Sequence, residues 1–268
     1  MYPILFTIGN YELRTYGVIV AIAVIAGIFV ALRYITERGV DEDTFLSVVI
    51  WAIIGGILGA RVFWVFVSPY LSTYLKNPLS IFAFWEGGLS FEGMILGGML
   101  AIFISSRAYK VSFRKILDAS VLGVSIGYGI GKLACFFNGC CYGLQVPSWW
   151  PKIFPFSLVF TNPQSQCDLL NTPLYPAQLL NSLSGWITFF VLLYILRRNK
   201  NLIEGKLFVI FAYVLSPMLF LIEFLRYIPN KFIGLTPNQW FSIGFVIFAF
   251  VFDSFNKRYA NKSEVQAQ

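Results

Sequence analysis

Long apolar stretches dominate this sequence and leave few folds open to it. Seven of them approach the roughly 20 apolar residues that an α-helix needs to cross a bilayer. They lie at 15–35, 45–68, 92–106, 116–138, 177–196, 207–226 and 238–256. Only 12% of the 268 residues are charged, about half the share expected in a soluble domain. The sequence therefore predicts an all-α polytopic membrane protein with about seven transmembrane helices.

Lysine and arginine are unevenly divided between the two sets of connections. One side holds five, and the other holds thirteen: Arg33, Arg38, Arg107, Lys110, Arg114, Lys115, Arg197, Arg198, Lys200, Lys206, Lys257, Arg258 and Lys262. Cytoplasmic loops are rich in these residues, so the N-terminus is expected outside and the C-terminus in the cytoplasm. Basic loops that face anionic lipid also explain the net charge of +7, and no nucleic-acid partner is expected.

The segments around the apolar stretches indicate one membrane domain spanning residues 1–268. The opening, MYPILFTIGNYELR, lacks the features of a signal peptide, so the first stretch is expected to be retained. The short third stretch either extends back through GGLSFEG or enters the membrane as a broken helix. The connection 143–174 is rich in Pro, Trp, Phe and Asn, and it is expected to form an ordered extracytoplasmic cap.

Polar residues within the predicted spans cluster at one depth, near the outer boundary. Six of the seven spans contribute to the set, which includes Tyr16, Arg61, Glu92, Lys132, Asn138, Gln178, Glu223 and Arg226. Structural ion pairs, Arg61 with Glu92 and Lys132 with Glu223, are the alternative explanation. The shared depth favours a site, and cations beside carboxylates suit an anionic head group such as a phosphate. Glycines in 86–98 would allow close backbone approach to it.

The four cysteines allow several interpretations. The chain has no histidine and no Cys-x-x-Cys pair, so no metal site and no cofactor are expected. Cys140 or Cys141 could form a disulfide with Cys135 or with Cys167. Alternatively, the cysteines are small buried residues at a helix end. A third hypothesis gives Cys140 or Cys141 a role as a reactive thiol, because nearby Lys132 would lower a thiol pKa.

Several blocks of the sequence carry a family resemblance. They are YGVIVAIAVIAG after Thr15, GARVFWVF at 59–66, WEGGLSFEGMILGG at 85–98, GKLACFFNGCCYG at 131–143, YPAQL at 175–179, LIEFLR at 221–226 and GLTPNQWFSI at 234–243. In these blocks the chain resembles the prolipoprotein diacylglyceryl transferases, seven-span enzymes of the bacterial inner membrane. The similarity covers nearly the whole chain.

The resemblance implies an activity and roles for residues. Such enzymes move a diacylglyceryl group from phosphatidylglycerol to the lipobox cysteine of a prolipoprotein, giving a thioether and glycerol phosphate. By this resemblance, Glu92, Lys132 and Tyr16 are the expected catalytic residues, with Glu92 as base. The expected ligands of the lipid head group are Arg61, Lys132, Asn138, Gly143, Gln178, Glu223 and Arg226.

The sequence also departs from the family pattern. The family block reads G-R-x-G-N-F-x-N-x-E-x-x-G, and here Lys132, Ala134, Cys135 and Cys140 replace its Arg, second Gly, first Asn and Glu. Asn138 and Gly143 match. Glu92 stands in place of a His, Tyr175 and Ala177 alter H-P-T-Q, and Leu219 stands where an Arg is expected. These departures motivate two alternatives: a paralogue with another lipid or thiol acceptor, and a non-catalytic phospholipid-binding or thiol-redox protein.

Overall fold

Seven long helices form the architecture. The computed structural model describes residues 2–9, 11–68, 70–83, 88–199, 202–228 and 231–266, with the backbone alone at 8, 11 and 258–266. Within these residues, seven helices are long and apolar enough to cross a membrane. The helices are α1 (Thr15–Thr36), α2 (Glu42–Val67), the short α3 (Leu71–Lys76), α4 (Phe91–Ala108), α5 (Phe113–Asn138), α6 (Ala177–Arg198), α7 (Lys206–Glu223) and α8 (Pro237–Gln266). The predicted helical class and number of spans are confirmed.

Capping residues set where the second and third spans begin. The Asp41 side chain accepts a hydrogen bond from the backbone N–H of Thr44, so α2 begins at Glu42, slightly before the predicted residue 45. Ser90 caps α4 by accepting the N–H of Gly93. Helix α4 therefore begins at Phe91 and does not extend back through residues 88–90. Its 18 residues span about 27 Å, close to the thickness of a hydrocarbon core.

Two small antiparallel sheets accompany the helices. Strands β1 (Ile4–Ile8) and β2 (Tyr11–Arg14) form a hairpin directly before α1. Strands β3 (Leu158–Val159) and β4 (Pro173–Leu174) pair within the connection 143–174. The sequence analysis did not predict either sheet. The signal for the first is the Gly-Asn pair at 9–10, which lies between two short runs of strand-forming residues.

The chain divides into two compact units. The first comprises Met1–Ala31 and Ser120–Gln268, which include the four strands, α6, α7, α8 and most of α1 and α5. The second comprises Leu32–Ala119, which include α2, α3, a 3₁₀ helix at Pro78–Phe82 and α4. The predicted single membrane domain stays a prediction.

Glycines bring α2 and α4 into backbone contact in the second unit. Each helix has two glycines four residues apart, Gly55 and Gly59 in α2 and Gly93 and Gly97 in α4. A Cβ at Gly59 would lie 2.4 Å from the Gly93 carbonyl oxygen, and one at Gly97 would lie 2.2 Å from that of Gly55. Small residues at this spacing let membrane helices approach closely. Gly93 and Gly97, two of the glycines in 86–98, therefore approach the backbone of a neighbouring helix.

Small residues also pack α5 in the first unit. A Cβ at Gly123 of α5 would lie 2.5 Å from the carbonyl oxygen of Gly27 in α1. On the α6 side, a Cβ at Gly185 would lie 2.6 Å from the backbone nitrogen of Gly129. The Ser182 hydroxyl donates a hydrogen bond of 2.6 Å to the Gly129 carbonyl. Close packing on both sides fixes the position of α5, whose C-terminal end carries the candidate site.

The connection 143–174 has a small apolar core of its own. Four of its residues are buried together with Tyr142: Leu158, Phe160, Cys167 and Leu174. Its backbone is also bonded to α5, because the N–H of Gln166 donates to the carbonyl of Asn138 at 2.9 Å. The connection is therefore packed on itself and bonded to α5, and its expected role as an ordered cap at the membrane surface stays a prediction.

Candidate active site

The C-terminal end of α5 gathers three thiols, here named the thiol cluster: Cys135, Cys140 and Cys141. The chain reverses after the helix because Gly139 and Cys141 adopt left-handed backbone, with φ of +79° and +56°. The three sulfur atoms all lie within 4.8 Å of one another. All four cysteines are free, and Cys167 belongs instead to the apolar core of the cap loop. Disulfide pairings within the cluster would join thiols that already lie close together.

Hydrogen bonding differentiates the two thiols beyond the helix end. Bonds from Cys135 and Cys140 lower the pKa of Cys141 below that of an ordinary thiol, and Lys132 and Arg226 act in the same direction. The pKa of Cys140 is raised, chiefly by its hydrogen bond with Cys135. Cys141 is therefore the more readily ionised of these two thiols.

Lys132 lies one helical turn before Cys135, close to two tyrosines. Its Nζ atom is 5.1 Å from the centroid of the Tyr128 ring, a cation–π distance. The Tyr128 hydroxyl donates to Asn181 Oδ1 of α6 at 2.9 Å. Tyr16 of α1 lies within electrostatic range of Lys132 and of all three thiols. The structure thus brings together two residues predicted to be catalytic, Tyr16 and Lys132.

A second cation, Arg226, lies just after α7. Its Nη1 donates to Glu223 Oε2 at 2.9 Å, and the two side chains are only 15% and 4% exposed. The other Glu223 oxygen accepts from Thr236 and Asn238 at 3.1 and 2.5 Å. Among the described residues, Glu223 therefore pairs with Arg226 rather than with Lys132. Lys132 and Arg226 lie within electrostatic range of each other, so this end of the unit has an excess of positive charge.

Two buried polar atoms beside these cations have unmet hydrogen-bonding capacity. Gln178, in the first turn of α6, is fully buried and donates from Nε2 to the Cys140 carbonyl at 2.9 Å. Its Oε1 and the Nε of Arg226 have no hydrogen-bond partner within the described part of the chain. Buried polar atoms are rarely left unpaired in proteins, so an unpaired donor and acceptor here point to a polar ligand.

Asn138 and Gly143 also lie at the site, where their contacts join parts of the chain to one another. The Asn138 Nδ2 donates to Gln166 Oε1 at 2.9 Å, which fastens α5 to the cap loop. Gly143 forms an isolated β-bridge with Arg226, and a Cβ on it would lie 2.4 Å from the Tyr175 carbonyl oxygen. Both residues hold the surrounding backbone in place. Their predicted contact with the lipid stays a prediction.

Arg61 and Glu92 belong to the second unit. Arg61 is 1% exposed, and its guanidinium donates to the carbonyls of Ile81, Ser80 and Gly88 at 2.9, 3.0 and 3.4 Å. The Trp64 and Tyr74 rings each lie 5.4 Å from it. Arg61 therefore orders the chain between α3 and α4.

Glu92 occupies the first turn of α4 and is 6% exposed. A carboxylate there is favoured by the partial positive charge of the helix N-terminus. The sequence-based roles of Arg61 and Glu92 in binding and catalysis stay predictions.

Sequence reasoning missed several partners of the site residues. Tyr128, Asn181, Thr236 and Asn238 were given no role, although they hold Lys132, Tyr128 and Glu223 by the contacts described above. The available signals were Tyr128 one turn before Lys132 and the polar run Thr-Pro-Asn-Gln at 236–239 inside an apolar region. Such polar side chains at the start of a span usually pair with one another or line a site.

Comparison with known proteins places this arrangement in a family. The family model described as prolipoprotein diacylglyceryl transferase matches residues 3–253. The chain belongs to this family. A phosphatidylglycerol–prolipoprotein diacylglyceryl transferase of Clostridium tetani is 28% identical over 262 residues, which cover 96% of this chain and 100% of that protein. One of the same name from Geobacter sulfurreducens is 33% identical over 245 residues, 90% of this chain and 88% of the relative.

Membership in the prolipoprotein diacylglyceryl transferase family confirms the resemblance drawn from the sequence blocks. It also identifies the seven apolar helices as those of a multi-pass membrane protein. The family pattern does not account for the thiol cluster, because Cys135 and Cys140 stand at positions where the family block has Asn and Glu.

Proposed function

We propose that this protein transfers a diacylglyceryl group from phosphatidylglycerol to a cysteine thiol of a prolipoprotein. The family and its named relatives support this activity. The observation that carries the proposal is the pair of cations, Lys132 and Arg226, in a largely buried site. One of them has an Nε donor without a partner in the described chain. Such a site suits the phosphate of an anionic lipid.

The phosphate is held by Lys132 and Arg226. Glu223 neutralises part of the Arg226 charge and fixes its orientation through the 2.9 Å bond, which leaves Nε to meet a phosphate oxygen. Lys132 of α5 contributes a second positive charge within electrostatic range of Arg226. As the phosphate leaves, negative charge builds up on its oxygens. These two cations therefore stabilise the transition state more strongly than they stabilise the bound lipid.

The glycerol part of the lipid lies against Gln178 and Tyr16. The unpaired Gln178 Oε1 is an acceptor suited to a glycerol hydroxyl, because such a group offers an O–H donor. In the reaction the acceptor sulfur attacks the carbon of the diacylglyceryl group that bears the phosphate, and the head-group glycerol stays on the phosphate. The S–C bond forms, the C–O bond breaks, and glycerol phosphate leaves with the electron pair of that bond. The thiol proton passes to a general base.

The finer biological context is part of the same proposal. The acceptor is the lipobox cysteine of a prolipoprotein, and the enzyme works in the bacterial inner membrane. The excess of Lys and Arg in one set of connections supports an orientation with the site towards the outer leaflet. A cysteine that has just left the membrane would reach the site from that side.

A transfer assay with purified protein tests the proposal. The substrates are phosphatidylglycerol labelled in its acyl chains and a peptide that contains a lipobox cysteine. We expect label on the wild-type peptide and a loss of about 100-fold or more in Lys132→Ala, because one removed charge-stabilising contact costs this much in comparable sites. Lys132→Arg keeps the charge and is expected to retain activity.

Lys152→Ala is the matched control, since Lys152 is an exposed cation in the cap loop. Transfer in this variant should equal that of the wild type. If the wild type transfers no label to the peptide, the proposed activity is wrong. If Lys132→Ala transfers as well as Lys152→Ala, the activity stands and the role assigned to Lys132 is wrong.

A further inference from the structure

The thiol cluster is the most concentrated group of metal-ligand side chains in the described chain. The sequence predicted no metal site, because Cys135, Cys140 and Cys141 lack the usual Cys-x-x-Cys spacing. In the fold, backbone geometry brings the three sulfurs together although their spacing in the sequence does not predict it. Left-handed backbone at Gly139 and Cys141 turns the chain back over the helix end, so all three sulfurs lie within 4.8 Å of one another.

The distances fit a single soft cation. Zinc–sulfur bonds of about 2.3 Å in a tetrahedron separate the sulfurs by about 3.8 Å, so the cluster needs to contract by about 1 Å at most. The left-handed conformation of Cys141 is uncommon for a residue with a Cβ. Such strain persists where the surrounding structure fixes it, and it frequently marks functional sites. Here it aims the third sulfur at the other two.

The surroundings of the cluster offset its charge and support its backbone. Three thiolates and one divalent cation carry a net charge of −1, and Lys132 and Arg226 both lie within electrostatic range of Cys141. The buried Gln178 amide holds the Cys140 carbonyl at 2.9 Å from the α6 side. Hydrogen bonds of this kind around metal ligands keep the ligands oriented. Cys140 and Cys141 are partly exposed, which leaves one side of the cluster accessible.

We propose that the thiol cluster binds one thiophilic divalent cation of the zinc class through its three sulfurs and leaves a fourth position open to an exogenous thiol. Catalytic zinc sites have three protein ligands and one open position. A thiol bound to the metal is deprotonated outright. In a step that rests on the proposed function, the acceptor cysteine would bind there and lose its proton to water, and the resulting thiolate would attack the diacylglyceryl carbon that bears the phosphate. The S–C bond would form as the C–O bond breaks, and glycerol phosphate would leave with the electron pair of that bond.

The direct test uses cobalt as a spectroscopic probe. Purified protein is reduced, stripped of metal and titrated with Co²⁺ in detergent, and thiolate-to-cobalt charge-transfer absorption is recorded. We expect saturation at one Co²⁺ per chain, displacement by Zn²⁺, and a spectral change when a cysteine-containing peptide is added. A peptide with serine in place of that cysteine should cause no change. Absence of the charge-transfer band would overturn the proposal.

Two further measurements, on cysteine variants and on protection of the wild-type thiols by Zn²⁺, ensure that the test does not depend on one variant. The band should be lost in Cys141→Ser and kept in Cys167→Ala, because Cys167 lies in the cap-loop core. In the wild type, Zn²⁺ should protect Cys135, Cys140 and Cys141 from a thiol-directed reagent and leave the labelling of Cys167 unchanged, as read by mass spectrometry. Equal effects on all four cysteines, or a disulfide within the cluster that persists under reduction and excludes the metal, would contradict the proposal.

The transfer assay, run on the metal-free and the zinc-loaded protein, separates this proposal from the proposed function. Zinc-dependent transfer to the peptide supports both. Cobalt binding that responds to the peptide, without lipid transfer in either form, supports the metal site and counts against the transferase. Equal transfer in both forms with no cobalt band leaves the transferase standing and overturns the metal site.

Discussion

At the scale of single residues, two arginines with the same predicted role differ in what they contact. Arg61 donates hydrogen bonds to three backbone carbonyls and lies near two aromatic rings. Arg226 has one carboxylate partner, Glu223, and an Nε without a partner in the described chain. The contacts of Arg61 are typical of a cation that orders a loop. Those of Arg226 are typical of a cation that can bind an anionic ligand. Residue type and depth alone could not distinguish them.

Conservative substitution should separate the two arginines. In Arg61→Lys, one ammonium cannot span the carbonyls of Ser80, Ile81 and Gly88, and each buried acceptor left unpaired costs about 1–3 kcal/mol. We expect a lower thermal unfolding temperature in detergent for this variant. Arg226→Lys should unfold close to the wild type but bind phosphatidylglycerol more weakly, because it loses the planar fork. The opposite pattern, with Arg226→Lys the less stable variant, would reverse this assignment.

At the scale of elements, the end of α5 shows what the sequence could and could not predict. Helix positions followed from apolar length, and Lys132 and Gln178 were placed at one level because consecutive helices run in opposite directions. The thiol cluster was not predictable in this way, because it depends on left-handed backbone at Cys141, where sequence patterns favour glycine. The hairpin before α1 was missed because its strands have only five and four residues.

The contact between α2 and α4 gives a prediction for the pair. Gly97→Ala would place a methyl group 2.2 Å from the Gly55 carbonyl oxygen, so the helices must separate, at a cost of about 1–3 kcal/mol. Gly98→Ala is the matched control, because its Cβ would lie 3.5 Å from the Ala52 carbonyl oxygen, an ordinary contact. Thermal unfolding should be lowered by the first change and unchanged or slightly raised by the second. Equal effects would mean that backbone contact does not stabilise this helix pair.

At the scale of the whole molecule, composition was the strongest guide. The chain is 57% hydrophobic and has seven long apolar stretches, a combination typical of a helical membrane protein. Family blocks such as GARVFWVF then indicated the activity class, which the family comparison supports. The positions of Tyr16 and Arg226 followed from their depth. Their partners, including Tyr128 and Asn238, required the structure, because side-chain pairing between distant segments leaves no local pattern.

Charge distribution predicts the orientation of the molecule in the membrane. Thirteen Lys and Arg residues fall on the side of the C-terminus and five on the opposite side, so a C-terminal fusion should remain in the cytoplasm. Alkaline phosphatase, which is active only outside the cytoplasm, should be inactive when fused after residue 268. It should be active when fused within 143–174. Activity at the C-terminus and none in the cap loop would show that the orientation is reversed.

The backbone contact between α2 and α4 also limits how the two helices could change over time. Any side chain introduced at Gly59 would meet the carbonyl oxygen of Gly93. Because every amino acid has this backbone oxygen, no second substitution at Gly93 can restore the fit. Exposed positions nearby, such as Ile53 and Ile57, meet no such obstacle. The exposed face of α2 can therefore accept substitutions. On the face that contacts α4, a larger residue cannot be compensated by a second substitution.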